Sequence, residues 1–340
     1  MRETIKIKIA IPTTIRNQLE LDIDDYELRG IGELCNSIIE FREFLPKVTE
    51  NKTFSRENNE LFKNCPPIQI SLHKRNSDFI AAASAKGAKL ASLCRHYIEQ
   101  YISLPRGQRE IFLKRVELIK IKSAVESQKN ITISYKGKIQ KVSPCFIAFS
   151  PSQVRAYLVI CKNPKDCISA EGTKESPFKA LRICHIENVS IDDNEESFHT
   201  RTNALFKRSE DLREHFDPFL CYGQELRVKL TKEGVQLYKR ASTNRPKILK
   251  VPGDSRKNSA ESIKTALESE TPGIYTLECS PELAKVYFPQ FLENAEILSP
   301  ADLRNYFRQR FLKAANNYGL MDTFASTKGG KTEKNNGRKD

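Results

Sequence analysis

Ile131-Thr132-Ile133-Ser134-Tyr135, Val142-Ser143-Pro144-Cys145-Phe146-Ile147-Ala148-Phe149, Arg155-Ala156-Tyr157-Leu158-Val159-Ile160 and Phe178-Lys179-Ala180-Leu181-Arg182-Ile183-Cys184-His185-Ile186-Glu187-Asn188-Val189 are the runs that decide the fold of this 340-residue chain. They are short, rich in β-branched and aromatic residues, and bounded by Gly, Pro, Asn or Ser. Lys136-Gly137 marks a tight turn between the first two. Runs of this kind predict a compact all-β unit with short connections. In the last run Phe178, Ala180, Arg182 and Cys184 share one parity, so Arg182 projects from a largely apolar row. A guanidinium there needs an anion or a carboxylate partner.

Upstream, the same order of elements occurs twice. Ile5, Ile7 and Ile9 alternate with Lys6 and Lys8, as in a half-buried strand with a basic outer face. Pro12-Thr13-Thr14 opens a short helix that Asp22, Asp24 and Asp25 are expected to interrupt. Gly30 and Gly32 turn the chain, and Leu34, Ile38 and Phe41 follow at helical spacing. A polar linker over 46–65 leads to the second copy. There Ile68, Ile70 and Leu72 alternate with Gln69, Ser71 and His73. A short helix over 78–86 follows, capped by Asn76 or Ser77. Gly87 stops it, and a longer helix runs from Lys89 to Ile102.

Strand, short helix, glycine turn, longer helix is the order of a ribbon-helix-helix domain, with copies at 4–45 and 68–102 in a region spanning 1–105. Two such strands pair into a ribbon that enters the DNA major groove. Lys6, Lys8, Gln69 and Ser71 would face outward, with His73 next in the row, and all can bond base edges or phosphates. Lys89 and the first amides of its helix are a candidate phosphate site. The strands can pair within one chain or across a dimer. Alternating Lys and Ile also suits a plain edge strand protected from aggregation.

Charge supports a polyanion partner. The chain carries +13 overall; residues 66–122 hold +7 of it, whereas residues 1–65 sum to −2. A local basic excess argues for nucleic acid, although it says nothing of fold. Residues 106–128 are expected to form one linker helix, with Phe112, Val116 and Ile119 on one face. After a connector over 201–223, strands and helices in the order βαββαβ, closed by a helix over 301–318, predict a ferredoxin-like sandwich over 224–318. Residues 319–340 read as a disordered basic tail.

The all-β unit, over 129–200, resembles a WYL domain, a small Sm/SH3-like β-barrel. The likeness rests on the I-x-I-x-Y opening, Ser143-Pro144, Ala156-Tyr157-Leu158 at the place of the Trp-Tyr-Leu triplet, and Leu181-Arg182-Ile183-Cys184-His185-Ile186. Ala156, Cys184 and His185 depart from the usual Trp, Asp and Arg. Glu296-Ile297-Leu298-Ser299-Pro300-Ala301-Asp302-Leu303-Arg304 resembles the extension that accompanies such domains and often mediates dimer contacts. The resemblance implies a groove that binds a nucleotide or nucleic acid, its candidates being Tyr135, Tyr157, Arg182 and His185, with Arg155 and Lys179 adding charge. An Arg fork fits phosphate, and a Tyr ring can stack on a base.

The whole order, an α+β multidomain chain, is similar to the accessory WYL proteins of type VI-D CRISPR–Cas loci, which bind single-stranded RNA and stimulate an RNA-guided RNase. A DNA-binding transcriptional regulator whose barrel senses a nucleotide is the alternative. No G-x-S-x-G, Walker A, H-E-x-x-H or dinucleotide glycine pattern is present, so a non-enzymatic protein without metal or cofactor is expected. The nine cysteines form no C-x-x-C pair. With no apolar leader after Met1 and no apolar run of membrane length, reduced thiols in a cytoplasmic protein are expected, and the resemblance implies a homodimer.

Overall fold

The computed structural model describes residues 5–46, 65–161, 177–192, 203–253 and 260–318. Residues 47–64 of the expected linker over 46–65 and the tail over 319–340 lie outside them. The chain divides into two compact units, Met1–Pro218 and Phe219–Asp340.

In the first unit, β1 (Lys6–Ile9) and β2 (Ile68–Ser71) pair antiparallel, with Lys6 opposite Ser71 and Lys8 opposite Gln69. The ribbon therefore forms within one chain. Ile7, Ile9, Ile68 and Ile70 point inward onto a core shared with Leu34, Ile38, Ile98 and Tyr101. These residues belong to α1 (Thr13–Tyr26), α2 (Ile31–Glu40), α3 (Lys74–Ala85) and α4 (Leu90–Ser103), or pack against them. The aspartates do not interrupt α1. Asp22 is fully buried, pairs with Arg109 at 2.8 Å, and accepts the Tyr101 hydroxyl at 2.9 Å. A partnered carboxylate has no reason to break the helix. Likewise α3 begins at Lys74, with His73 as N-cap. Asn76 is instead buried and donates to the Asn36 carbonyl at 2.8 Å.

The expected linker helix is two helices, α5 (Arg106–Leu113) and α6 (Arg115–Glu126). Phe112 is buried, but Val116 and Ile119 are 44% and 59% exposed. The break at Lys114 shifts the phase, so that Leu118, Ile121 and Ala124 face the sheet below.

That sheet has five antiparallel strands, β3 (Ile131–Tyr135), β4 (Lys138–Ser150), β5 (Arg155–Cys161), β6 (Phe178–Arg182) and β7 (Ile186–Ile191), in the order β6-β5-β4-β3-β7. Lys136 and Gly137 both have positive φ, as a two-residue hairpin turn requires. A register shift at Pro144/Phe146 bends the long β4. The expected closed barrel is not formed among the described residues. A 3-10 turn, Ile183–His185, joins the two edges instead. Its backbone bonds elsewhere: Cys184 N–H donates to Glu110, and the His185 carbonyl accepts from Lys136 N–H. One face of the sheet packs Ile131, Ile133, Ala156, Leu158, Ile160 and Leu181 into a core. The helix α7 (Asn203–Glu214) follows. Seven described cysteines form no disulfide, but Cys161 is disulfide-bonded, against the expectation of reduced thiols.

The second unit has β8 (Glu225–Leu230), α8 (Lys232–Arg240), β9 (Lys247–Lys250), α9 (Ala260–Glu268), β10 (Gly273–Glu278), α10 (Pro281–Tyr287), β11 (Ala295–Ser299) and α11 (Ala301–Asn317). Its antiparallel sheet runs β11-β8-β10-β9. Thr231 and Ser280 cap α8 and α10 through their hydroxyls. The helix α9 adds an element to the expected βαββαβ order. Among the described residues no helix is long and apolar enough to cross a membrane, and no cluster of His, Cys, Asp or Glu is fit to hold a metal ion.

Candidate nucleic-acid interface

The ribbon presents Lys6, Lys8, Gln69 and Ser71 on its exposed face, since the strands alternate exposed and buried in opposite phase. Its seat is fixed by an asparagine that the sequence reading missed. Buried Asn36 donates to the carbonyls of Gly32 and Ser71 at 2.8 and 2.9 Å, and its Oδ1 accepts from His73 N–H at 2.8 Å. His73 is itself exposed just beyond β2, and Lys89 is exposed at the N-cap of α4. No regular spacing marks Asn36; it lies on the buried stripe of α2 like an apolar residue.

On the sheet, Tyr157 lies directly opposite Arg182, and Arg155 shares the parity of Tyr157. These three occupy the face away from the Leu158 core. Tyr135 does not share that face: it packs against the Leu158 core, and its ring meets His185 edge-on at 5.8 Å. Lys179 does not join: it is exposed and has the opposite parity on β6. Tyr157 donates its hydroxyl to Gln153, packs on Phe216 at 5.8 Å and is only 5% exposed. In this arrangement its ring offers no open face to a base.

The end of α1 fills the cleft. Asp25 Oδ1 lies 2.7 Å from Arg155 Nη2, and the same carboxylate pairs with Arg106. Arg182 Nη2 donates to the Asp25 carbonyl at 3.3 Å. Glu27 Oε2 lies 2.8 Å from His185 Nδ1. Behind them Glu110, fully buried on α5, accepts Ala156 N–H at 2.9 Å and Cys184 N–H at 3.3 Å. Burial raises the Glu110 pKa, while those two N–H groups, Arg155 and Arg182 pull it back. Burial likewise raises the Tyr135 and Tyr157 pKa values and pushes Cys184 up to about 11. For Arg155 burial opposes the charge, but bonding and attraction to Asp25 outweigh it. Asp25, Glu27 and Glu110 escaped the sequence reading. The net negative charge of residues 1–65 beside the basic stretch was the available signal.

His185 gives a pH test. Burial, foremost, lowers its pKa below 6.5; Arg182 and Lys136 add to this and Glu27 opposes it. Between the folded value and 6.5 the unfolded chain binds more protons, so stability is full above 6.5 and falls as the pH drops through that window. Urea midpoints of the wild type should fall there, and His185→Phe should lack that component.

The fold thus defines a class: an α+β chain with an intrachain two-stranded ribbon, a bent five-stranded antiparallel sheet and a separate four-stranded unit. No protein-family model and no curated protein matches the chain. Among solved structures it is similar to the crystal structure of a CRISPR Cas-related protein, with a TM-score of 0.56, 16% identity, and 94% of this chain and 95% of that chain covered. At that identity the likeness is one of fold. Proteasome accessory factor B/C of Arthrobacter aurescens matches over 58% of this chain and 27% of its own, also at 16% identity, but a TM-score of 0.22 defines no common fold.

Proposed function

We propose that the chain is a non-enzymatic nucleic-acid-binding protein of the cytoplasm, working as a homodimer. In this reading it binds single-stranded RNA and stimulates the RNA-guided RNase of a type VI-D CRISPR–Cas system. The observation that carries it is the exposed face of the ribbon, where two ammonium groups stand opposite an amide and a hydroxyl. Such a surface takes phosphates without demanding one sequence. Support comes from the fold shared with a CRISPR Cas-related protein over nearly the whole chain. The module order of ribbon-helix-helix, WYL domain and ferredoxin-like extension is part of the same reading.

The same ribbon favours a second reading, a transcriptional regulator that places it in the major groove of duplex DNA while the WYL sheet senses a nucleotide. Fluorescence anisotropy with an unstructured RNA and with duplex DNA, at two salt concentrations, separates the two. The first reading expects tighter RNA binding with a steep salt dependence. Tighter binding to duplex DNA overturns it. In the second reading Gln69→Ala relaxes discrimination between sites, whereas Lys89→Ala weakens all sites alike. Added to the RNA-guided RNase, the protein should raise target cleavage; an unchanged rate would remove the accessory role.

A further inference from the structure

We propose that the last turn of α1 is an internal competitor for the anion site of the WYL sheet. The carboxylates of Asp25 and Glu27 take the places that a phosphate-bearing ligand would occupy on Arg155 and His185, beside Arg182, which holds only the Asp25 backbone carbonyl, and such a ligand binds by displacing the two carboxylates. The inference rests on the reading of the sheet as a polyanion-binding module.

Carboxylate and phosphate oxygens present similar geometry to a guanidinium fork, so an aspartate is a fair substitute for a phosphate. Here it is an incomplete one. Arg155 is 8% exposed, yet its Nη1 and the buried Nε of Arg182 have no hydrogen-bond partner among the described residues. A phosphate carries a further oxygen with which to meet such donors.

The acidic residues are also badly placed for their own helix. Asp24 and Asp25 lie in the last turn of α1 and Glu27 is its C-cap, with no basic residue in that turn. Negative charge at this end opposes the helix dipole. Their position thus works against the helix and in favour of contact with the sheet. Release needs no unwinding. Tyr26, between them, stays buried with its hydroxyl on the Arg106 carbonyl at 2.8 Å. The Asp25 and Glu27 side chains keep 25% and 59% of their surface in solvent, so they can rotate outward.

The test uses the full chain and an unstructured oligouridylate. Asp25→Asn/Glu27→Gln should bind it about tenfold tighter than the wild type, since a competitor has been removed. The control is Glu20→Gln/Asp24→Asn, which removes equal charge from exposed positions of the same helix. It should change affinity by less than about twofold. Adding Arg155→Ala to the first variant should cancel the gain. Equal affinities of the two double variants would overturn the proposal. If no variant binds RNA, the reading of function fails, and pyrophosphate then tests the competitor alone. It should raise the thermal midpoint of Asp25→Asn/Glu27→Gln more than that of the wild type; equal shifts would overturn the proposal on this arm. Should the double variant not fold, Glu27→Gln, at an exposed side chain, carries the same comparisons.

Discussion

Asp22→Ala is expected to lower the free energy of unfolding by about 3–5 kcal/mol, as breaking one side of a buried ion pair does. The carboxylate is fully buried, and Arg109, its partner at 2.8 Å, is nearly so. It also receives the Tyr101 hydroxyl at 2.9 Å and the Gln18 amide at 3.3 Å. Burial, and then the neighbouring Asp22 carboxylate, raise the Tyr101 pKa, which favours the hydroxyl as a donor. Truncation leaves a guanidinium stranded between α1, α4 and α5, with the Leu104 carbonyl, at 2.8 Å, its one remaining hydrogen-bond partner among the described residues. Urea denaturation measures the loss. Asp22→Leu/Arg109→Met should recover most of it, because removing both charges removes the penalty of leaving one unpaired. A loss below about 1 kcal/mol, the size of an exposed ion pair, would show that the site admits water.

Lys6→Ala/Lys8→Ala is expected to weaken nucleic-acid binding by roughly tenfold to a hundredfold at low salt, and to lower the slope of log affinity on log salt by about two. Both side chains are on the exposed face of β1, while Ile7 and Ile9 hold the strand to the core. Folding is therefore spared, and a thermal melt should match the wild type. Lys6→Arg/Lys8→Arg should retain most of the affinity, because a phosphate contact asks chiefly for charge. Anisotropy titrations over a salt series read both quantities. An unchanged slope would move the interface off the ribbon.

The ribbon was legible because its signal is local. Alternating Ile and Lys, then Ile and polar residues, is a period of two, and the burial of both strands follows it. The Lys136-Gly137 turn rests on equally local chemistry. The helices over 106–126 misled because two phases of an apolar stripe overlap: Phe112 belongs to one and Leu118, Ile121 and Ala124 to the other. A polar cluster over 22–25 reads as a helix breaker until a buried arginine from a distant helix neutralises it.

The cleft was half legible. The row carrying Arg182 announced a guanidinium in need of an anion, and Tyr157 does lie opposite it. The occupant comes from 157 positions upstream, and no spacing rule reaches that far. The open edge of the sheet escaped for the same reason, since Glu110 bonds the turn that joins its two edges.

Because both strands of the ribbon come from one polypeptide, its two halves are chemically unlike: cationic along β1, neutral and hydrogen-bonding along β2. A dimer of identical strands would favour targets with dyad symmetry. This surface has no such twofold axis of its own, so under the proposed function reversing the 5′-to-3′ polarity of an oligonucleotide laid along it would give a different set of contacts.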